Sequence, residues 1–150
     1  MNAFVAAGAG FLLAVLWFDL MFDVQLICRR GAPVEREVAI DSIATYYARV
    51  TTAARPMNRL VAAVMLATLA AIVVEIARGG EPAWVAWSSL ALALAAITLA
   101  GARTVPAAVR LGGRVDPPPR RAALAEGILR EHLFCFCAIA LVLAGQLGFG

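Results

Sequence analysis

The sequence predicts an all-α polytopic membrane protein, a four-transmembrane-helix bundle with a cytoplasmic amphipathic helix. Hydrophobic residues make up 63% of the chain and charged residues only 15%, whereas soluble domains carry about 45–50% apolar residues and about 25% charge. Four apolar stretches each approach the roughly 20 residues that cross a bilayer. All thirteen basic residues are arginines, and all but Arg78 lie between residues 29 and 59 or between 103 and 130.

The apolar stretches define the spans, and the arginines orient them. We expect a single integral membrane domain with spans at about residues 3–28, 56–78, 82–103 and 131–148. By the positive-inside rule, the segments at about 29–55 and 104–130 are cytoplasmic loops, and both termini lie on the non-cytoplasmic side. We expect a multi-pass protein of the cell (plasma) membrane. The first stretch has no basic leader and no small-residue cleavage site, so it is expected to remain as the first span.

The first loop carries the amphipathic helix. From Val34 to Val50, apolar side chains recur at helical spacing, as at Ile40, Ile43 and Tyr47, with polar residues between them. We expect this helix to lie on the membrane surface or across the mouth of the bundle. Its adjacent tyrosines, Tyr46 and Tyr47, are then expected near the headgroups.

Small and polar residues predict how the helices end and meet. Gly31 is expected to end the first span with a left-handed cap, and Asp116 to cap a last helix that runs to the end of the fourth span. The small residues Ala6 to Gly10 suit the close approach of a neighbouring helix. Glu75 and Arg78, three residues apart, are expected to form an ion pair.

Polar groups within the spans mark the candidate site. An ionisable side chain inside a bilayer costs roughly 2.5–3.5 kcal/mol on insertion scales, so each one needs a structural or functional reason. Asp19 and Asp23 stand four residues apart on one face of the first span, and antiparallel packing brings polar groups of the other spans to the same end. The candidate ligand-binding residues are Asp19, Asp23, Arg59, Arg103, Arg110 and His132, and the candidates for catalysis are Asp19, Asp23 and His132.

Three interpretations of this polar layer remain open. In the first, the two aspartates pair with Arg59 and Arg103 and hold the helices in register, because buried charges normally find partners. In the second, the layer is a pocket, open to the cytoplasm, that binds a polar group or relays a proton. In the third, Asp19, Asp23 and His132 ligate a divalent ion. The chain has a single histidine and no Glu-x-x-His pattern, so no metal site is predicted, and the cofactor is left unknown.

The sequence leaves three classes of function open. The first is a small membrane protein of undetermined activity whose charged layer binds a small ligand. The second is a membrane-embedded enzyme, oxygenase- or isomerase-like, that acts on an apolar substrate. The third is a structural or accessory subunit of a membrane complex.

The expected partners are the lipid bilayer and either a second copy of the chain or another membrane subunit. Nucleic acid is not expected, because the arginines alternate with carboxylates instead of forming a basic stripe.

Three short motifs carry a resemblance to a known family. Arg103-Thr104-Val105-Pro106, Arg110-Leu111-Gly112 and Arg130-Glu131-His132 resemble motifs of the small four-helix anthrone-oxygenase-like membrane proteins. The similarity covers about a quarter of the chain, and Ala107-Ala108 stands where that family has an asparagine. The resemblance implies a four-helix architecture and cofactor-free oxidation chemistry. It assigns no catalytic role to any residue here.

Overall fold

Helices form nearly the whole of the computed structural model, which describes residues 2–28, 33–79 and 82–149. The predicted cap at Gly31 lies outside these residues. Two short π-helical segments interrupt the α-helices. The elements in chain order are α1 (Asn2–Asp23), α2 (Gln25–Cys28), α3 (Pro33–Ala48), the first π segment (Arg49–Ala53), α4 (Arg55–Ala77), α5 (Ala83–Leu99), the second π segment (Ala100–Thr104), α6 (Val105–Gly113) and α7 (Pro118–Gly148).

In the part of the chain that the structure describes, four helical stretches are long and apolar enough to cross a membrane, which confirms the predicted fold class. α1 packs against α4 and α7, and α5 also packs against α4 and α7, so the spans form a ring. Large apolar side chains such as Trp17 and Phe18 are more than half exposed on the outside of this ring, where a membrane protein contacts lipid. The four stretches are Ala3–Cys28, Pro56–Ala77, Ala83–Gly113 and Pro118–Gly148.

α1 approaches α4 closely at Gly8. A Cβ atom at Gly8 would lie 2.1 Å from Thr68 Oγ1 and 3.2 Å from Thr68 Cβ. Thr68 is buried, and its hydroxyl donates to the carbonyl of Val64 at 2.8 Å. A Cβ at Gly10 would meet nothing within 4 Å. The expected close contact along the small-residue stretch therefore occurs at Gly8 and not at Gly10.

A second hydrophobic core lies at the arginine-rich end of the bundle. It forms where α3 packs across α6, α2 and the first part of α7, and we call this assembly the helical cap. A Cβ at Gly112 would lie 2.7 Å from the backbone nitrogen of Ala48, so α3 and α6 touch through their backbones. The buried residues of this core are Leu26, Ile40, Ile43, Ala44, Tyr47, Ala108, Leu111, Ala125, Ile128 and Leu129.

Arginine–carboxylate pairs cross the surface of the cap. Arg36 on α3 pairs with Glu126 on α7, and Arg121 on α7 reaches Asp41 on α3 at 2.8 Å. Exposed ion pairs contribute little stability individually, roughly 0–1 kcal/mol each. Their effect here is to orient α3 over the bundle mouth, so the amphipathic helix lies between other helices instead of on an open membrane surface.

Both π segments precede a proline. The ring of Pro106 would clash with the carbonyl of Ala102, four residues earlier, and Pro106 has no N–H to donate to it. The wider turn of Ala100–Thr104 accommodates this defect and lets the third span continue into α6. The segment Arg49–Ala53 also stands shortly before a proline, but the helix breaks at Ala54 and α4 begins anew at Arg55, next to Pro56.

The predicted cap at Asp116 is not formed. α7 begins at Pro118, and Pro117 occupies the capping position without a side-chain hydrogen bond. The carboxylate of Asp116 instead lies 2.6 Å from the guanidinium of Arg110 and 3.6 Å from that of Arg120. The Asp116 carboxylate therefore pairs with two arginines instead of capping the N-terminus of α7.

Candidate functional site

A fully buried carboxylate lies at the centre of the polar layer. Asp23 is 0% exposed. The hydroxyl of Tyr47 donates to its Oδ1 at 2.8 Å, and Nδ1 of His132 lies 2.7 Å from its Oδ2. In the tautomer that carries its hydrogen on Nδ1, the imidazole donates to this oxygen. Both oxygens of Asp23 therefore have donors from the protein.

Asp19 is arranged in a similar way but is less completely enclosed. The hydroxyl of Tyr46 donates to Asp19 Oδ1 at 2.7 Å. The other oxygen, Oδ2, lies 3.9 Å from Nε2 of His132, which is within ion-pair range but too long for a hydrogen bond. The single imidazole of the chain therefore sits between two carboxylates, one facing each ring nitrogen. We call Asp19, Asp23, Tyr46, Tyr47 and His132 the tyrosine–aspartate–histidine cluster.

Helix geometry explains how two adjacent tyrosines reach two different carboxylates. Asp19 and Asp23 are one turn apart on α1, which separates them by about 6 Å along the axis. Tyr46 and Tyr47 are neighbours near the end of α3, and successive residues on a helix point about 100° apart. The ring of Tyr46 also stacks on Phe22 of α1, with centroids 4.0 Å apart. With His132 from α7, the cluster joins three helices.

The surroundings hold both tyrosines in the protonated form. Burial raises the pKa of Tyr47 well above its ordinary value, and the nearby carboxylates of Asp23 and Asp19 raise it further. The pKa of Tyr46 is also raised, first by burial and then by Asp19. A neutral hydroxyl is the form that donates to a carboxylate, so both tyrosines remain donors across the physiological pH range.

The three arginines predicted for the site lie elsewhere. Nε of Arg103 is 3.1 Å from Glu131 Oε1, and Thr104 donates to the other oxygen of Glu131 at 2.8 Å. Arg110 forms its ion pair within the cap, as described above, and Arg59 is exposed. The predicted pairing of arginines with the aspartates is therefore not the arrangement found. The hydroxyls of Tyr46 and Tyr47 donate to the aspartates, and Arg103 pairs with Glu131 instead.

A cavity of about 390 Å³ lies beside the cluster, in the middle of the ring of spans. Asp19, Tyr46, Tyr47 and His132 contribute to its wall, while Asp23 lies behind them. Most of the wall is apolar and comes from α1, α4, α5 and α7. Both π segments also border the cavity, through Val50 and Thr51 in the first and Ala100 and Thr104 in the second.

The exposed part of the cavity wall lies between α4 and α6. Met57 and Val105 line the cavity and are 53% and 54% exposed, and Val109 is 48% exposed. Asn58 and Ala62, on the same face of α4, are also exposed. The cavity therefore opens between two helices, whereas one of the three interpretations of the sequence was a pocket open to the cytoplasm. α3 covers the arginine-rich end of the bundle.

The metal interpretation receives no support from the geometry. Across residues 2–28, 33–79 and 82–149, no group of three His, Cys, Asp or Glu side chains is arranged to hold a metal ion. In the tyrosine–aspartate–histidine cluster, the carboxylates accept from hydroxyls, and Nδ1 of the imidazole donates to Asp23. A metal ion would have to displace these hydrogen bonds before it could bind.

A second buried polar cluster lies at the opposite end of the bundle. Glu75 is only 5% exposed and points into the bundle, so the predicted ion pair with Arg78 is not formed; Arg78 is exposed. The amide nitrogen of Gln146 lies 3.4 Å from Glu75 and 3.3 Å from Ser89 Oγ. Gln146 Oε1 is buried and has no hydrogen-bond partner among the described residues. Sequence reasoning missed this contact because no local spacing relates positions 75, 89 and 146.

A comparison with known families shows which family the chain belongs to. Residues 1–109 match the profile of the SHR3 chaperone family, whose description is ER membrane protein SH3. The chain belongs to this family. No curated protein and no solved structure matches the chain significantly. The matched region contains both aspartates and both tyrosines of the cluster, while His132 on α7 lies beyond it.

The family overturns two predictions. The resemblance to anthrone-oxygenase-like proteins is wrong, since it rested on three short motifs, whereas the profile matches residues 1–109. The predicted location in the plasma membrane is also wrong, because the family is described as an ER membrane protein. Positive charge orients a chain in whichever membrane it enters and does not distinguish one membrane from another. That both termini lie on the non-cytoplasmic side stays a prediction.

Proposed function

We propose that this chain is an accessory protein of the ER membrane that acts as a chaperone for other membrane proteins. The observation that carries the proposal is the match of residues 1–109 to the SHR3 chaperone family. It favours the accessory class among the three that the sequence left open. The enzyme alternative has no support from the family.

The arrangement of the buried polar groups suits a scaffold. The cluster connects α3 to α1 through Tyr46 and Tyr47, and α7 to α1 through His132, so it fastens the helical cap to the bundle. Both oxygens of Asp23 are occupied by protein donors. Removing one partner of such a buried group costs about 1–3 kcal/mol. We therefore assign the cluster a structural role, which is to keep the cap closed over the spans.

Loss of the gene in its native host tests the proposed function. Quantitative proteomics would compare the membrane fractions of the deletion strain, the parent strain and the strain complemented with the wild-type gene. We expect a defined set of multi-span proteins to fall in abundance or to aggregate in the deletion strain, and to recover on complementation. An unchanged membrane proteome, with the same proteins correctly folded and located, would overturn the chaperone role.

A further inference from the structure

We propose that the cavity beside the tyrosine–aspartate–histidine cluster binds an amphiphile with a protonated amine head and an apolar body. This inference goes beyond the proposed function and does not depend on it. It rests on the cavity wall, on the charge of the cluster, and on the position of the cavity mouth.

The cavity has the size and wall chemistry of a ligand site. Its volume of about 390 Å³ lies in the usual range for such sites, about 300–1,000 Å³. Most of the wall is aliphatic, with contributions such as Leu12, Leu16, Val61, Met65, Ile97 and Ile139. A wall of this kind favours an alkyl or aromatic body, and it excludes a small, fully hydrated ion.

The polar side of the cavity favours a cation. Asp19 lines it, and its Oδ2 lies 3.9 Å from Nε2 of His132, so this oxygen can accept a hydrogen bond from a ligand. The cluster places two aspartates around one imidazole, so its acidic groups outnumber its basic one. Such a site attracts an ammonium group more strongly than a carboxylate.

The mouth of the cavity is largely apolar. Met57, Ala62, Val105 and Val109 are exposed apolar lining residues of α4 and α6, and Asn58 is an exposed polar one. An amphiphile can enter by this route with its apolar body against the apolar side chains. The ligand is therefore expected to partition into membranes, which a free polar amine does not do.

The single histidine provides a direct probe. The chain contains one histidine, so protein labelled with ¹⁵N-histidine gives the imidazole signals of His132 alone. The labelled protein, in phosphatidylcholine nanodiscs at pH 7, would be titrated with dodecylamine, dodecanol and dodecanoate. We expect saturable shifts with dodecylamine at concentrations at least about ten-fold lower than with dodecanol, and no saturable shift with dodecanoate. Equal responses to all three amphiphiles would overturn the proposal.

Three variants separate binding in the cavity from effects on the membrane. Ala62 lines the cavity mouth, while its neighbour Ala63 is exposed and does not. We expect Ala62→Trp to abolish the dodecylamine shift and Ala63→Trp to preserve it. Asp19→Asn keeps an acceptor for Tyr46 but removes the charge, so it should weaken dodecylamine binding about ten-fold while leaving dodecanol unaffected. A dodecylamine shift that persists in Ala62→Trp, or that is unchanged in Asp19→Asn, would refute the site.

Discussion

Tyr47, near the end of α3, donates its hydroxyl to Asp23 on α1 across 2.8 Å, and the carboxylate that receives it is completely buried. This hydrogen bond joins the helical cap to the first span. The relationship explains why an aspartate is tolerated inside an apolar helix: it has a donor on each oxygen. Removal of the Tyr47 hydroxyl should therefore weaken the attachment of the cap to the first span.

Removing the Tyr47 hydroxyl should cost more than removing that of Tyr46. Tyr47→Phe leaves the fully buried Asp23 with one donor fewer, and we expect a loss of about 1–3 kcal/mol in the free energy of unfolding. Tyr46→Phe is the matched control, and its loss should be smaller because Tyr46 and Asp19 are both partly exposed. Unfolding in mixed dodecyl maltoside and SDS micelles measures both. Equal losses, or a larger loss for Tyr46→Phe, would contradict the assignment.

The raised tyrosine pKa values predict an alkaline limit to stability. Each hydroxyl has an ordinary pKa of 10.0 and a higher one in the folded protein. The stability that this provides is fully present below pH 10 and is lost as the pH rises above it. The chain has only two tyrosines, and the increase in absorbance at 295 nm on ionisation reports on these two above the constant background of the tryptophans. We expect no tyrosinate signal until the helices unfold. Ionisation near pH 10 in the folded protein would show that the hydroxyls are not enclosed.

Adding a single methyl group to α1 should change the free energy of unfolding only where α1 contacts α4 closely. Gly8→Ala places a Cβ against the stiff side chain of Thr68, and rotation of that side chain would sacrifice its bond to Val64. We expect a loss of about 1–3 kcal/mol from overpacking. Gly10→Ala meets nothing within 4 Å and should be neutral or stabilising, since alanine favours helix. The same micelle unfolding assay measures the pair. Similar effects at the two positions would mean that the helices do not meet at Gly8.

The second polar cluster should behave as a coupled pair. Gln146→Leu leaves the buried Glu75 without the amide donor, and we expect it to cost about 1–3 kcal/mol. The double variant Glu75→Leu/Gln146→Leu removes both polar groups and should recover much of that loss. A double-mutant cycle measures the coupling directly. Additive effects would show that the two side chains do not interact.

Much of the architecture follows from patterns that are local in the sequence. Runs of apolar residues define the four long helices, and the one-turn spacing of Asp19 and Asp23 places them on a common face. Their approach to His132 follows from antiparallel packing of the spans. These features depend only on helix geometry and on the cost of placing charge in lipid.

The partners of the aspartates did not follow from local patterns. Periodicity shows which face of α3 is apolar, but it does not show which helices that face packs against. Periodicity therefore places the tyrosines at the headgroups and the arginines beside the aspartates. Sequence spacing pairs Glu75 with Arg78, whereas Gln146 reaches Glu75 only through the packing of α7. Such contacts are set by tertiary structure, which spacing alone does not determine.

In the proposed function, the cluster is a scaffold and relays no proton. The most direct test is complementation of the deletion strain with His132→Asn. An asparagine amide can replace the Nδ1 donor to Asp23, but it cannot carry a proton between the carboxylates. We predict that His132→Asn restores the affected membrane proteins as well as the wild type does. A variant that folds and reaches the membrane at normal levels yet fails to restore them would contradict the account.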